Sequence, residues 1–492
     1  MHNIILRSAM AVVLAAAAHG CTRLTTIGWS AESNGKLDAA ISVPRHATTV
    51  VASRSELLQP ASAGLGDIDG DGLDDFMLMS WPLTDTGGTG AERSDSTAYL
   101  FYGRSSFPEF TQLQDADATF VSGSPFNYPL GDINGDGYND FALSDSSGYE
   151  FIFGGPERVS GKHEKLSTGK VVWTYEPQQV GNSPVLTGFD QITKLGDTNG
   201  DGYDDFVVRV VEKAPDDGRW WGAWGVIFND YIVLGRKDNW PSGAWDPRWT
   251  VADFGADTDD PSGTSNKLGV IGSGDLDGDG LTDIIAAGWE RKWVFYGKSG
   301  GFQGTLSSDN ADADLHLGSM DWPYVIGDLD DDGRDDLAAF GLNELQVYYS
   351  SKQRYAGRVE AQADLTFYDQ GPYNNPLVGD FNSDGRPDLI FVGNAETKHW
   401  DDWATGPMHL VVNQVDGTGE RLTGRHQLTS ADVYKPIGYA APPVLDTGGF
   451  NLQVAGDFDG DGSSDIIVGA PGQEDPAESY VLLLPGAART PD

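Results

Sequence analysis

The sequence predicts an all-β protein assembled from one repeated unit. Three observations carry this: a nine-residue acidic pattern recurs seven times, each copy runs into a short apolar strand, and 64 of 492 residues are glycine. An aromatic content of 11% and a hydrophobic content of 39% supply core formers for a turn-dense domain and exclude a disordered chain. The formal charge is −42, from 74 acidic and 32 basic residues. Nucleic acid and anionic bilayers are therefore poor partners, and cations are the natural counterpart.

Taking the chain in order, residues 1–20 read as a signal peptide: Arg7 precedes an apolar run from Ala9 to Ala18, and small residues lead to Cys21. Ala18-His19-Gly20-Cys21 resembles a bacterial lipobox, which implies lipidation of Cys21. The alternative is a plain secretory signal with an incidental cysteine. Either way the chain is expected to be exported, as a cell-envelope lipoprotein or an extracellular protein, and Thr22 after the cysteine leans towards the outer membrane. Residues 21–38 read as a linker and 39–492 as the repeat domain. Cys21 is the only cysteine, so no disulfide staples the fold.

The repeated pattern is Asp-x-Asp/Asn-x-Asp-Gly-x-x-Asp. Its side chains at positions 1, 3, 5 and 9 are Asp67, Asp69, Asp71 and Asp75; Asp132, Asn134, Asp136 and Asp140; Asp197, Asn199, Asp201 and Asp205; and Asp275, Asp277, Asp279 and Asp283. Repeats 5 to 7 follow with Asp328, Asp330, Asp332 and Asp336; Asp380, Asn382, Asp384 and Asp388; and Asp457, Asp459, Asp461 and Asp465. This spacing lets alternate side chains converge from a tight loop, and glycine at position 6 permits the turn. Oxygen-only ligands select a hard cation, and their number favours calcium over magnesium, which keeps more water. Position 7 varies (Leu73, Tyr138, Tyr203, Arg334), as expected if only its carbonyl coordinates. An EF-hand would carry a glutamate at position 12, whereas this chain has Leu78, Leu143, Val208, Ala286, Ala339, Phe391 and Val468. The loops are strand connections.

A strand before each loop, one after it, and later runs such as Ala98 to Gly103 and Ala118 to Val121 predict four strands per repeat. First aspartates lie 52 to 78 residues apart, which suits a four-stranded propeller blade with roomy loops. The repeats resemble the FG-GAP repeats of the integrin α-chain amino-terminal domain, a seven-bladed propeller, and Val468-Gly469-Ala470-Pro471 reproduces the GAP element. The Phe-Gly half is degraded to Leu65-Gly66, Leu130-Gly131 and Leu195-Gly196. The resemblance covers about Ala61 to Pro485. It implies one calcium ion per blade, held by the loop residues named above between first and second strands. No tail, membrane helix or inserted adhesion domain accompanies it, so integrin signalling and ligand specificity do not carry over.

The seventh repeat ends after its third strand, Tyr480 to Leu484, and the segment from Ala40 to Ser53 is expected to supply the fourth and close the ring. Twenty-five of the ligand side chains are acidic, so seven divalent ions would bring the formal charge to about −28. At ~0.1 mM affinity, ~1 mM calcium adds about 1.4 kcal/mol per site, which favours a structural role. Seven alike sites around a ring cannot serve one reaction centre. Repeats 1, 4, 5 and 7 offer four carboxylates and are expected to hold calcium more tightly than repeats 2, 3 and 6.

The resemblance places recognition on the face opposite the calcium loops. There repeats 1, 3 and 6 carry insertions, with Arg219, Trp220, Trp221 and Trp224 in the third and His399, Trp400 and Trp403 in the sixth. Rigid aromatic surface on loops suits a protein or glycan ligand; the alternative is that these rings pin their own loops. Trp240, Trp245 and Trp249 lie further along repeat 3 and face the same two readings. The expected function is a calcium-binding, envelope-anchored recognition or adhesion module, and the protein is expected to be monomeric. The alternative is a carbohydrate-active enzyme, a polysaccharide lyase or hydrolase, on the same scaffold. No catalytic residue is singled out, since the histidines are scattered and no nucleophile elbow, phosphate loop or zinc signature occurs.

Overall fold

A computed structural model describes the chain from Thr48 to Leu484 with gaps, the longest being 83–95, 215–225, 256–266, 393–407, 412–420, 438–450 and 471–479. It also describes Ala15–Ala16 paired with Thr22–Arg23. Cys21 and nearly all of the signal segment lie outside the described residues. Apart from three short 3-10 turns, the described structure is all β. None of its helices is long and apolar enough to cross a membrane.

Among the described residues the repeats form six five-stranded sheets and one four-stranded sheet. In sheet 1, Glu56–Gly66, Asp75–Pro82, Ser96–Phe101 and Ala118–Ser122 run antiparallel in succession. Each acidic loop joins the first strand of its sheet to the second. The expected four-strand unit needs correction, because Gly161–Glu164 of repeat 2 adds a fifth, parallel strand to the outer edge of sheet 1. The same crossing recurs where Gly304–Leu306 pairs with Ala252–Phe254, Gly357–Ala361 with Ala313–Leu317, and Gly424–Gln427 with Leu365–Tyr368. An exposed outer strand presents unpaired N–H and C=O groups, and a segment of the next repeat satisfies them. In sheet 7 the fourth strand is Thr48–Val51, in register Thr48 to Leu483 and Val51 to Tyr480, and Phe110–Gln112 of repeat 1 lies outside it.

The strands after the loops read as continuous apolar runs because both faces of each sheet are covered. Met77 and Met79 of sheet 1 share a core with Phe141 and Leu143 of sheet 2. Phe151 of sheet 2 meets Phe206 and Val208 of sheet 3. Val207 and Ile232 meet Ile284 and Ala286, and Ile285 and Val294 meet Leu337 and Ala339. On the other side of sheet 1, Phe76 and Leu78 pack with Phe458, Ile467 and Leu483 of sheet 7. Opening strands lie against one another in chain order, and the seventh lies against the first.

A second tie between sheets is polar. In every repeat but the sixth the N–H at position 8 donates to the position-1 carbonyl of the preceding repeat: Asn139 to Asp67, Asp204 to Asp132, Thr282 to Asp197, Asp335 to Asp275 and Ser464 to Asp380, at 2.7 to 3.1 Å. Asp74 donates in the same way to Asp457, joining sheet 1 to sheet 7. Repeat 6 has Pro387 at this position and no N–H to give. Sheets 3 and 4 gain an ionic clamp, in which Arg209 holds Asp230 through Nε at 2.7 Å and Nη2 at 2.8 Å while Asp230 accepts from Val270 N–H.

Trp240, Trp245 and Trp249 pack with Trp173, Phe151 and Phe206 between sheets 2 and 3, with ring centroids 5.3 to 6.2 Å apart. These three rings are structural. Trp293, also buried, lies under the Arg291 guanidinium.

Candidate metal centres

The described acidic loops are shaped by their own carboxylates. In repeat 1, Asp67 accepts from Gly70 N–H at 2.6 Å and from Gly72 N–H at 2.9 Å. Asp69 accepts from Asp71 N–H and Asp71 from Leu73 N–H. Repeats 3, 4 and 7 repeat this net, repeat 2 shows its position-1 and position-5 bonds, and in repeat 5 Asp328 accepts from Asp332 and Gly333 N–H. Such bonds need two left-handed residues. Position 6 is one, with φ near 90° at Gly72 and Gly137. Position 4 is the other and was not singled out from sequence, although glycine recurs there as Gly70, Gly135, Gly200, Gly278 and Gly460. Repeat 5 places Asp331 there at φ 58°, a conformation that aspartate tolerates better than most side chains.

The loops bring carboxylates together. One oxygen from each of Asp67, Asp69 and Asp71 lies within 4.8 Å of the others, and the same holds for Asp275, Asp277 and Asp279, for Asp328, Asp330 and Asp332, and for Asp457, Asp459 and Asp465. These are the repeats with aspartate at position 3. In repeats 2 and 3, Asn134 Nδ2 instead donates to Asp140, at 3.4 Å, and Asn199 Nδ2 to Asp201, at 3.1 Å. In repeat 6, Asp380 and Asp388 are described and Asn382 and Asp384 lie outside the described residues.

Position 9 sits deepest. Asp75, Asp140, Asp205, Asp283, Asp336 and Asp388 are fully buried and Asp465 nearly so. Each of the first five accepts from position 2 of its own loop and from the residue that ends the third strand's run: Asp75 from Ile68 N–H at 2.9 Å and Gly103 N–H at 2.7 Å, Asp140 from Ile133 and Gly154, Asp336 from Leu329 and Ser350. Burial raises their pKa, to about 7 for Asp75 and Asp283, about 8 for Asp140 and Asp336 and about 6 for Asp205. Neighbouring loop carboxylates add to the rise.

Sequence reasoning also missed three arginines. Arg158 from repeat 2 reaches into the repeat 1 loop, with Nε on Asp69 and Nη2 2.6 Å from Asp71. Arg354 does the same to Asp277 and Asp279, and Arg421 Nη1 lies 2.7 Å from Asp330. Their only sequence signal is a place four residues beyond the Gly or Ser that follows the third strand, and Arg421 lies behind an insertion.

The candidate recognition residues Arg219, Trp220, Trp221, Trp224, His399, Trp400 and Trp403 all lie outside the described residues.

Comparison with family models decides the lineage of the loops. Residues 328–391 match the FG-GAP-like repeat, and residues 449–482 match the FG-GAP repeat. The chain is an FG-GAP repeat protein. Among solved structures, this FG-GAP chain is similar to an Agrocybe aegerita lectin described as recognising non-reducing terminal N-acetylglucosamine, at 14% identity over 86% of this chain and 88% of that one, with a TM-score of 0.37. It is similar to BBS1N from a complex with ARL6DN (10% identity, 87% and 92% coverage, TM-score 0.35) and to the V. cholerae biofilm matrix protein Bap1 (11%, 94% and 70%, TM-score 0.24).

Proposed function

We propose that the seven sheets are the blades of a calcium-stabilised β-propeller, and that this propeller is an exported recognition or adhesion module for a protein or glycan ligand. The observation that carries the calcium reading is the set of buried position-9 carboxyls beside the other acidic loop positions. Holding one such group ionised at neutral pH against a folded pKa near 7 costs about 4 kcal/mol. Five of them together would be comparable to the 5 to 15 kcal/mol typical of a whole domain, so an adjacent positive charge would relieve a large destabilisation at neutral pH.

The donor set fits calcium. All ligand side chains offer oxygen, and Asp330 Oδ1 is buried without a hydrogen-bond partner among the described residues. Asp67, Asp69, Asp71 and Asp75, and their counterparts in the other repeats, would hold the ion, which would neutralise the buried charge. The chain's own residues do the rest: position 1 shapes the loop, and position 9 ties it to the third strand. The ring reading is supported by the apolar core and the Asp74 to Asp457 bond between first and last sheets, together with the Thr48–Val51 strand in sheet 7.

Recognition is supported by the tryptophan-bearing insertions of repeats 3 and 6 in a chain whose charge disfavours polyanions. Screening the calcium-loaded protein on a glycan array, with product analysis of every hit, tests it. Calcium-dependent binding without turnover, abolished by Trp220→Ala with Trp221→Ala or by Trp400→Ala with Trp403→Ala at unchanged melting temperature, is the expected result. Turnover of a bound glycan, or binding that ignores both tryptophan pairs, refutes it.

A further inference from the structure

The acidic loops fall into two classes that ligand counting does not reveal. In repeats 1, 4 and 5 three features occur together. Position 3 is aspartate; a tyrosine (Tyr102, Tyr296 or Tyr349) precedes the residue that binds position 9; and an arginine of the following repeat lies over that tyrosine, 4.6 to 4.7 Å from the ring centroid. The phenol oxygen fixes the residue after the arginine. Val159 N–H donates to Tyr102 at 2.8 Å, Tyr355 N–H donates to Tyr296 at 2.6 Å, and Tyr349 donates to the Leu422 carbonyl at 2.8 Å. The guanidinium is thereby held against the position-3 carboxylate, which is only 3 to 4% exposed, and in repeats 1 and 4 also against position 5.

Repeats 2 and 3 lack all three features together. Position 3 is Asn134 or Asn199, the tyrosine is replaced by Phe153 or Leu234, and the arginine by Asn239 or Gly301, both left-handed. Beside the repeat 2 loop the corresponding space opens as a cleft of about 610 Å³, lined by Asn134, Asp136, Phe153, Asn239 and Trp240 among others. Repeat 7 is a third case. It has Asp459 at position 3 and a cluster of Asp457, Asp459 and Asp465, and among the described residues no guanidinium contacts Asp457 or Asp459.

We propose that Arg158, Arg354 and Arg421 are built-in counter-cations that compete with the divalent ion for the position-3 and position-5 carboxylates. Each arginine removes one unit of the charge by which an aspartate loop exceeds an asparagine loop. In the charge of the four ligand side chains plus the arginine, repeats 1, 4 and 5 therefore match repeats 2 and 3, and the order expected from counting carboxylates disappears. Repeat 7, with no arginine on Asp457 or Asp459 among the described residues, becomes the tightest site. The arginine loops keep their shape at low calcium, because the guanidinium supplies part of the neutralisation the ion would otherwise provide. This inference rests on the calcium reading above.

The test is calcium titration of the full chelator-treated chain, by calorimetry and by equilibrium dialysis with radioactive calcium. Arg158→Met, Arg354→Met and Arg421→Met together keep the apolar stem over the tyrosine and remove the charge. Three sites are expected to gain about tenfold or more in affinity, and the melting temperature in chelator is expected to fall while that in calcium is kept. Single Arg354→Met, expected to strengthen one site, serves if the triple variant does not fold. Asp459→Asn in wild type is expected to remove the tightest step.

Unchanged or weaker binding in the arginine variants would show that the guanidinium merely orients the ligands, and overturns the proposal while leaving the calcium reading intact. Survival of the tightest step in Asp459→Asn overturns it equally. If neither wild type nor variants take up calcium, the calcium reading fails and this inference with it.

Discussion

Raising the pH of the metal-free protein from about 5.5 to about 8 should lower its stability, and calcium should abolish the effect. The position-9 carboxyls have folded pKa values of about 6 to 8, raised by burial, against an ordinary value of 3.8. A raised folded pKa means that the native state binds more protons than the unfolded chain between the two values, so stability falls as pH climbs through that window and levels off above it. For a group moving from 3.8 to about 7, the loss across this range is about 2 kcal/mol. Five independent groups give on the order of 10 kcal/mol, or roughly 10 °C in melting temperature at ~2 cal/mol/K per residue. Surface repulsion in a chain of charge −42 acts in the same direction, so the melts belong in ~0.5 M NaCl, where the Debye length is about 4 Å. Asp75→Asn and Asp140→Asn should each flatten the slope. A chelated melting temperature that stays level or rises with pH refutes the reasoning, as does a slope that both variants leave intact.

Other consequences are more local. Arg209→Met leaves Asp230 buried without its guanidinium and should cost about 3 to 5 kcal/mol in denaturant unfolding, whatever the calcium level. Gly154→Ala would place a Cβ 2.4 Å from the Asn139 carbonyl and 2.7 Å from that of Ile68, both fixed by the tie between sheets 1 and 2, and should cost about 1 to 3 kcal/mol. Because Pro387 cannot make the inter-repeat bond, amide exchange should open Asp388–Val392 before Asp205–Lys213; equal protection of the two strands would contradict this.

The acidic loops and the strands that follow them were legible in the sequence because ligand spacing and apolar runs are local. Pairings with distant segments were not. Nothing in Gly161–Glu164 announces that it leaves its own repeat for the edge of sheet 1, since four short residues with a polar, exposed pattern carry no period. Arg158 likewise looks like a solvated surface residue until folding brings it 2.6 Å from Asp71, 87 positions away. Trp240, Trp245 and Trp249 illustrate the converse limit. An aromatic cluster reads alike as ligand surface or as core, and only packing with Trp173 and Phe206 decides between them.

The loops are expected to be loaded with calcium, and the fold to depend on it. Calcium content and melting temperature measured on one sample, before and after chelation and again after calcium is restored, test this most directly. About seven ions per chain, a fall of more than ~10 °C on their removal and full recovery on their return are predicted. A protein that carries no calcium, or that melts at the same temperature without it, contradicts the account.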